Sequence, residues 1–159
     1  LSLEAEVLIL GNAIQVTSPS LNLEQNQTLT IFLVERVVVH DQGTSPNGLD
    51  KNHDVARAMI SIDDENNVKA EFIPDRWNAS VPQNVNHSVR FLLSDDDDPL
   101  SFDVVLAVES REEGPNKILS STIVRLSEET GGESKMTPLV LVLGIGMVST
   151  MAFITQSRK

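Results

Sequence analysis

The sequence predicts an all-β fold: a single antiparallel β-sandwich of seven or eight strands, followed by one C-terminal transmembrane α-helix. Three observations carry this. Short segments of alternating apolar and polar residues, rich in β-branched side chains, recur at roughly ten-residue spacing and are separated by Gly, Pro, Asn, Asp and Ser. No amphipathic helical period lies between them, so nothing would cover the faces of a parallel sheet. The stretch from Met136 to Ile154 is apolar on every face, and no ionisable side chain lies between Lys135 and Arg158.

Taken in order, Glu6 to Leu10 is a short apolar run closed by Gly11-Asn12, and Ile14 to Thr17 continues it as a second strand before Ser18-Pro19-Ser20 breaks the pattern. Thr28 to His40 is the longest strand signal. Its alternation slips at Glu35-Arg36, which either a β-bulge or two separate strands would accommodate. A charge inside that strand could bind a partner or be turned out to solvent by the bulge. Residues 41 to 54 are expected to be a long polar loop. Val55 to Ile62, the acidic turn Asp63-Asp64-Glu65-Asn66-Asn67, and Val68 to Phe72 form a hairpin.

Pro74 to Val85 is irregular and holds the only tryptophan, Trp77, expected to lie as a lid over one end of the sandwich. Val89, Phe91 and Leu93 alternate with polar neighbours up to the stop at Ser94 to Pro99. Phe102, Val104, Leu106 and Val108 form the cleanest inward face in the chain. Arg111 to Asn116 breaks the pattern, and Ile118 to Leu126 is the last strand. Strands of this number and spacing fit an immunoglobulin-like sandwich over residues 1 to 127. Residues 128 to 135 are a polar stalk.

At about 1.5 Å per helical residue, the final apolar run is about 30 Å long, the thickness of a bilayer's hydrocarbon core. Residues 136 to 157 are therefore read as a transmembrane helix, and 158 to 159 as the start of a cytoplasmic tail. A helix packed on the surface of a soluble core would be apolar on one stripe only, and a removable lipid-anchor tail would end apolar rather than in Gln156-Ser157-Arg158-Lys159. Arg158 and Lys159 follow the run, whereas Glu128, Glu129 and Glu133 precede it, so the positive-inside tendency puts the C-terminus in the cytoplasm and the sandwich outside it. A start at Leu1 suits a mature chain freed of its signal peptide. Within the helix, Gly144, Gly146, Ser149 and Thr150 are small or hydroxylated residues at spacings that let another helix approach.

The chain has 23 acidic against 12 basic residues, and three of the basic ones flank the span, leaving an excess of 14 negative charges on the part before it. Nucleic acid is excluded as a partner on that balance. With no cysteine there is neither a disulfide framework nor a thiolate metal site. Asn26, Asn78 and Asn86 each open an N-glycosylation sequon. His40, His53 and His87 are scattered, and no phosphate loop, nucleophile elbow or cysteine nucleophile is present. No cofactor or catalytic residue is expected. The acidic clusters at Asp63 to Glu65 and Asp95 to Asp98 read as turns that keep sheet edges from pairing with other chains.

Locally, His40-Asp41-Gln42-Gly43 after a valine run, with the acidic cluster closing a later strand, resembles the edges of calcium-dependent cadherin and Calx-β modules. Where cadherins carry Asp-x-Asn-Asp-Asn, this chain has Glu65 and Asn66 at the third and fourth positions. That resemblance implies a stand-alone adhesion or receptor module with possible calcium ligands. The residues themselves point instead to a non-catalytic accessory subunit of a membrane complex. Its partners would be other membrane protein subunits, and it would meet the lipid bilayer through residues 136 to 157.

Overall fold

In the computed structural model, residues 3–40, 49–82, 85, 87–110 and 117–127 are described. Asn86, the tip of the polar loop, the stalk, the apolar run and its four packing residues lie outside the described residues. Among the described residues there are nine strands: β1 Glu6–Leu10, β2 Ala13–Thr17, β3 Gln27–Val39, β4 Lys51–Ile62, β5 Val68–Phe72, β6 Asn78–Ser80, β7 Ser88–Leu92, β8 Phe102–Ser110 and β9 Lys117–Arg125. They form two antiparallel sheets, ordered β1-β2-β7-β6 and β5-β4-β3-β8-β9. No helix among the described residues is long and apolar enough to cross a membrane.

Alternation decides which side chains meet. Ile14 and Val16 of β2 and Val89 and Phe91 of β7 point from the smaller sheet toward Leu29, Ile31 and Leu33 of β3, Ala58, Ile60 and Ile62 of β4, and Phe102, Val104, Leu106 and Val108 of β8. All are buried, and all belong to one core between the sheets. Fully burying a branched aliphatic or Phe side chain contributes about 1.5–3 kcal/mol, so this layer is the main favourable term. Leu21, Leu23, Leu93 and Leu126 close the core from the connecting segments, where strand alternation has ended.

Trp77 also closes it. Its ring meets Phe102 edge to face with centroids 5.3 Å apart, and its indole N–H donates to Asp97 Oδ2 at 2.7 Å. The expected lid is therefore a core residue with its polar tip satisfied.

Three places depart from the expected strands. β4 begins at Lys51, four residues inside the expected polar loop, because Val37, Val38 and Val39 extend β3 and pair with His53, Asn52 and Lys51. β6 lies within the stretch expected to be irregular and pairs with β7 from Asn78 to Ser80. The slip at Glu35-Arg36 leaves β3 a single strand. The irregularity is in its neighbour, where Arg57 is the extra residue between Ala56 opposite Val34 and Ala58 opposite Leu33. Arg57 then pairs with Glu35 at 2.5 Å.

Candidate interaction surface

The inner faces of the two sheets are consumed by the core, so any surface for a partner lies on the outer faces or at the loop ends. On the five-stranded sheet, register brings Phe72, Met59, Phe32, Val105 and Ile123 into one row across all five strands. Every member is apolar. Phe72 is 60% exposed and Ile123 59% exposed at the two ends, while the three between them are half-buried. Beside this row lie small residues, Ala70, Ser61, Thr30, Ala107 and Ser121, with Thr30 and Ser61 joined by a 2.8 Å hydrogen bond. On the other flank the buried Asp103 carboxylate lies 3.8 Å from both Arg36 and Arg125. This face therefore combines an apolar band with an ionic margin.

Phe72 reaches this face because of one extra residue. Ile62 pairs with Val68 but Ser61 pairs with Ala70, which leaves Lys69 unpaired as a bulge. Without it the alternation would set Phe72 opposite Ala58 and turn it into the core, since a one-residue slip exchanges the two faces of a strand. The bulged Lys69 reaches the Asp63 carboxylate at 2.6 Å. That carboxylate also accepts the Glu65 N–H at 3.0 Å and the Asn67 N–H at 2.8 Å. Burial alone would raise the Asp63 carboxyl, but the Lys69 ammonium and these hydrogen bonds outweigh it and hold its pKa at about 2, below the ordinary 3.8. Asp63, Lys69 and the outward Phe72 form one local device.

The same turn ties the two sheets together. Asn66 takes a left-handed conformation, φ 62, and its side-chain oxygen accepts the His87 N–H at 2.8 Å just ahead of β7. His87 is itself buried and left-handed, φ 49, and neither ring nitrogen reaches hydrogen-bonding geometry with a described partner. Burial pushes its imidazole below the ordinary 6.5, against the opposing pull of the Asp64 charge and the Leu21 backbone.

The Asp95 to Asp98 run is divided among separate tasks. Asp95 accepts from the Asn12 amide, Asp96 pairs with Arg76, Asp97 holds Trp77, and Asp98 accepts the Leu100 N–H to cap the short 3₁₀ turn Pro99–Ser101. Only part of this run is the solvated turn expected of it. Among the described residues, no three His, Asp or Glu side chains converge where a metal ion would sit.

Of the sequons, Asn26 is half-buried in the turn before β3, and Asn78 is exposed on β6. Sequence reasoning found neither the apolar row nor Phe72's place in it. Met59 beside the inward Ala58 and Ile60 was the available signal, since it marks an apolar residue on the wrong face for the core. The chain matches no protein-family model and no curated protein.

Proposed function

We propose that this chain is a non-catalytic accessory subunit of a membrane protein complex: a single-pass type I protein whose sandwich lies in the endoplasmic reticulum lumen or the extracellular space. In this reading residues 1–127 dock, 128–135 form the stalk, 136–157 cross the bilayer, and 158–159 begin the cytoplasmic tail. The outer face of the five-stranded sheet meets the partner's extramembrane domain, and the helix packs against a partner helix at Gly144, Gly146, Ser149 and Thr150. The observation that carries the docking half is the unbroken apolar row from Phe72 to Ile123, whose members are contiguous as a protein contact requires. The strand order in the two sheets supports an immunoglobulin-like sandwich of the variable type, although the chain has none of that fold's cysteines or tyrosines.

The test is co-purification from detergent extracts of the full chain. Phe72→Lys with Ile123→Lys, and separately Gly146→Leu, should each reduce recovery of membrane partners. The alternative, a stand-alone cell-surface adhesion or receptor module, has no need of the helix for assembly. Under it Gly146→Leu leaves recovery unchanged.

A further inference from the structure

The three sequons differ in what folding does to them. In Asn26-Gln27-Thr28, the asparagine is half-buried and engaged, Gln27 accepts the Glu24 N–H at 3.1 Å, and Thr28 is buried. In the third sequon His87 and Ser88 are buried, and the Ser88 hydroxyl donates to the Val16 carbonyl at 3.1 Å. Asn78-Ala79-Ser80 is different: Asn78 and Ser80 are both exposed, on the edge strand of the four-stranded sheet. There a glycan can be attached before or after folding with no packing to displace.

The surroundings of Asn78 are also shaped for what it would carry. Register puts Asn78 in line with Leu92, Ala13 and Leu10 on the outer face, and Ser80 in line with Arg90, Gln15 and Leu8. Leu92 is 42% and Leu10 49% exposed. Asn78, Ser80, Arg90 and Leu92 line an open groove of about 450 Å³ that starts at the sequon. Sugar rings offer C–H faces that pack on apolar side chains and hydroxyls that bond to guanidinium groups, and the groove presents Leu92 for the first and Arg90 for the second.

We infer that Asn78 carries an N-linked glycan whose first sugars lie along the outer face of the four-stranded sheet, covering Leu92 and Leu10 and leaving the five-stranded face as the one open to protein. The inference rests on the lumenal or extracellular placement of the domain proposed above. In the transfer, the Asn78 amide nitrogen bonds to the anomeric carbon of an oligosaccharide carried on a lipid pyrophosphate. The bond from that carbon to the pyrophosphate oxygen breaks, the amide loses a proton, and the lipid pyrophosphate leaves.

The experiment expresses the full chain behind a cleavable leader in a eukaryotic secretory host. Protease protection in sealed microsomes reads the placement, and mass spectrometry after enzymatic deglycosylation reads occupancy at Asn78. Fluorescence of a hydrophobic dye on purified protein reads coverage. The expected result is a protected domain, an occupied Asn78, and about threefold higher dye fluorescence in Ser80→Ala and in Asn78→Gln, returned to the starting level by adding Leu10→Thr and Leu92→Thr. A protected domain with Asn78 unmodified overturns this inference and leaves the placement standing. A domain digested in intact microsomes overturns both. An occupied Asn78 with unchanged dye fluorescence in the variants overturns the covering role.

Discussion

The two outer faces of the sandwich carry comparable numbers of exposed apolar side chains and differ in how these are joined. On the five-stranded face, Phe72, Met59, Phe32, Val105 and Ile123 occupy one cross-strand row. At about 4.8 Å per strand step the row spans about 20 Å. On the four-stranded face, Leu8 shares its row with Gln15, Arg90 and Ser80, and Leu10 is separated from Leu92 by Ala13. Cross-strand neighbours are the unit of contact on a sheet, so the first set is a continuous patch across all five strands and the second a shorter one that ends at Asn78. What matters for recognition is adjacency, which strand pairing creates, and not the count of exposed hydrophobes.

The sharpest way to break this contrast is to charge each face in turn. Phe72→Lys with Ile123→Lys should weaken partner recovery by more than about 30-fold, the scale of lost hot-spot contacts. Leu10→Lys with Leu92→Lys should leave it within about threefold. Pull-down titrations of the full chain measure both, and equal losses on the two faces would erase the distinction.

Next in size is the device that turns Phe72 outward. Asp63→Ala removes the acceptor of two backbone N–H groups and the Lys69 ion pair, and should cost about 2–3 kcal/mol in urea unfolding. Because the Asp63 carboxyl titrates at about 2 when folded and near 3.8 when unfolded, its stabilisation is complete above pH 3.8. It is lost as pH falls from there toward 2. The variant should lack that portion of the acid transition.

His87 acts at milder pH and on the link between the sheets. Its folded-state pKa lies below 6.5, so the unfolded chain takes up the proton first, and stability should fall as pH drops from 7.5 through 6.5 to 5.5. His87→Asn tolerates the left-handed backbone and should flatten that pH slope, read by thermal unfolding. An unchanged slope would show that His87 is not the titrating group.

The two smallest effects separate backbone from surface charge. Gly11 turns the β1–β2 hairpin at φ 64, and a Cβ there meets nothing within 4 Å. Gly11→Ala should cost about 1 kcal/mol through conformation alone, with partner recovery untouched. Arg57→Ala breaks a half-exposed pair with Glu35 and should change stability by less than about 1 kcal/mol.

Most of the strands were legible because alternation is a local property. Phe102 to Val108, Val89 to Leu93 and the hairpin around Asp63 could each be read from a few neighbours. β6 could not, since Asn-Ala-Ser has no apolar period, and neither could the start of β4, whose Lys-Asn-His-Asp is strand only because three valines of β3 lie opposite. The sequons were legible as motifs, but their accessibility was not. Thr28 and Ser88 look as available as Ser80 until the chain packs around them.

By itself, then, the amino-acid order determined that this chain makes short antiparallel strands, which residues share a face within an unbulged stretch, and that a long uncharged apolar run follows the acidic part. Tertiary structure alone decided which of those faces looks inward. Face identity depends on register between strands distant in sequence, and a single bulged residue, Lys69, reverses it for Phe72.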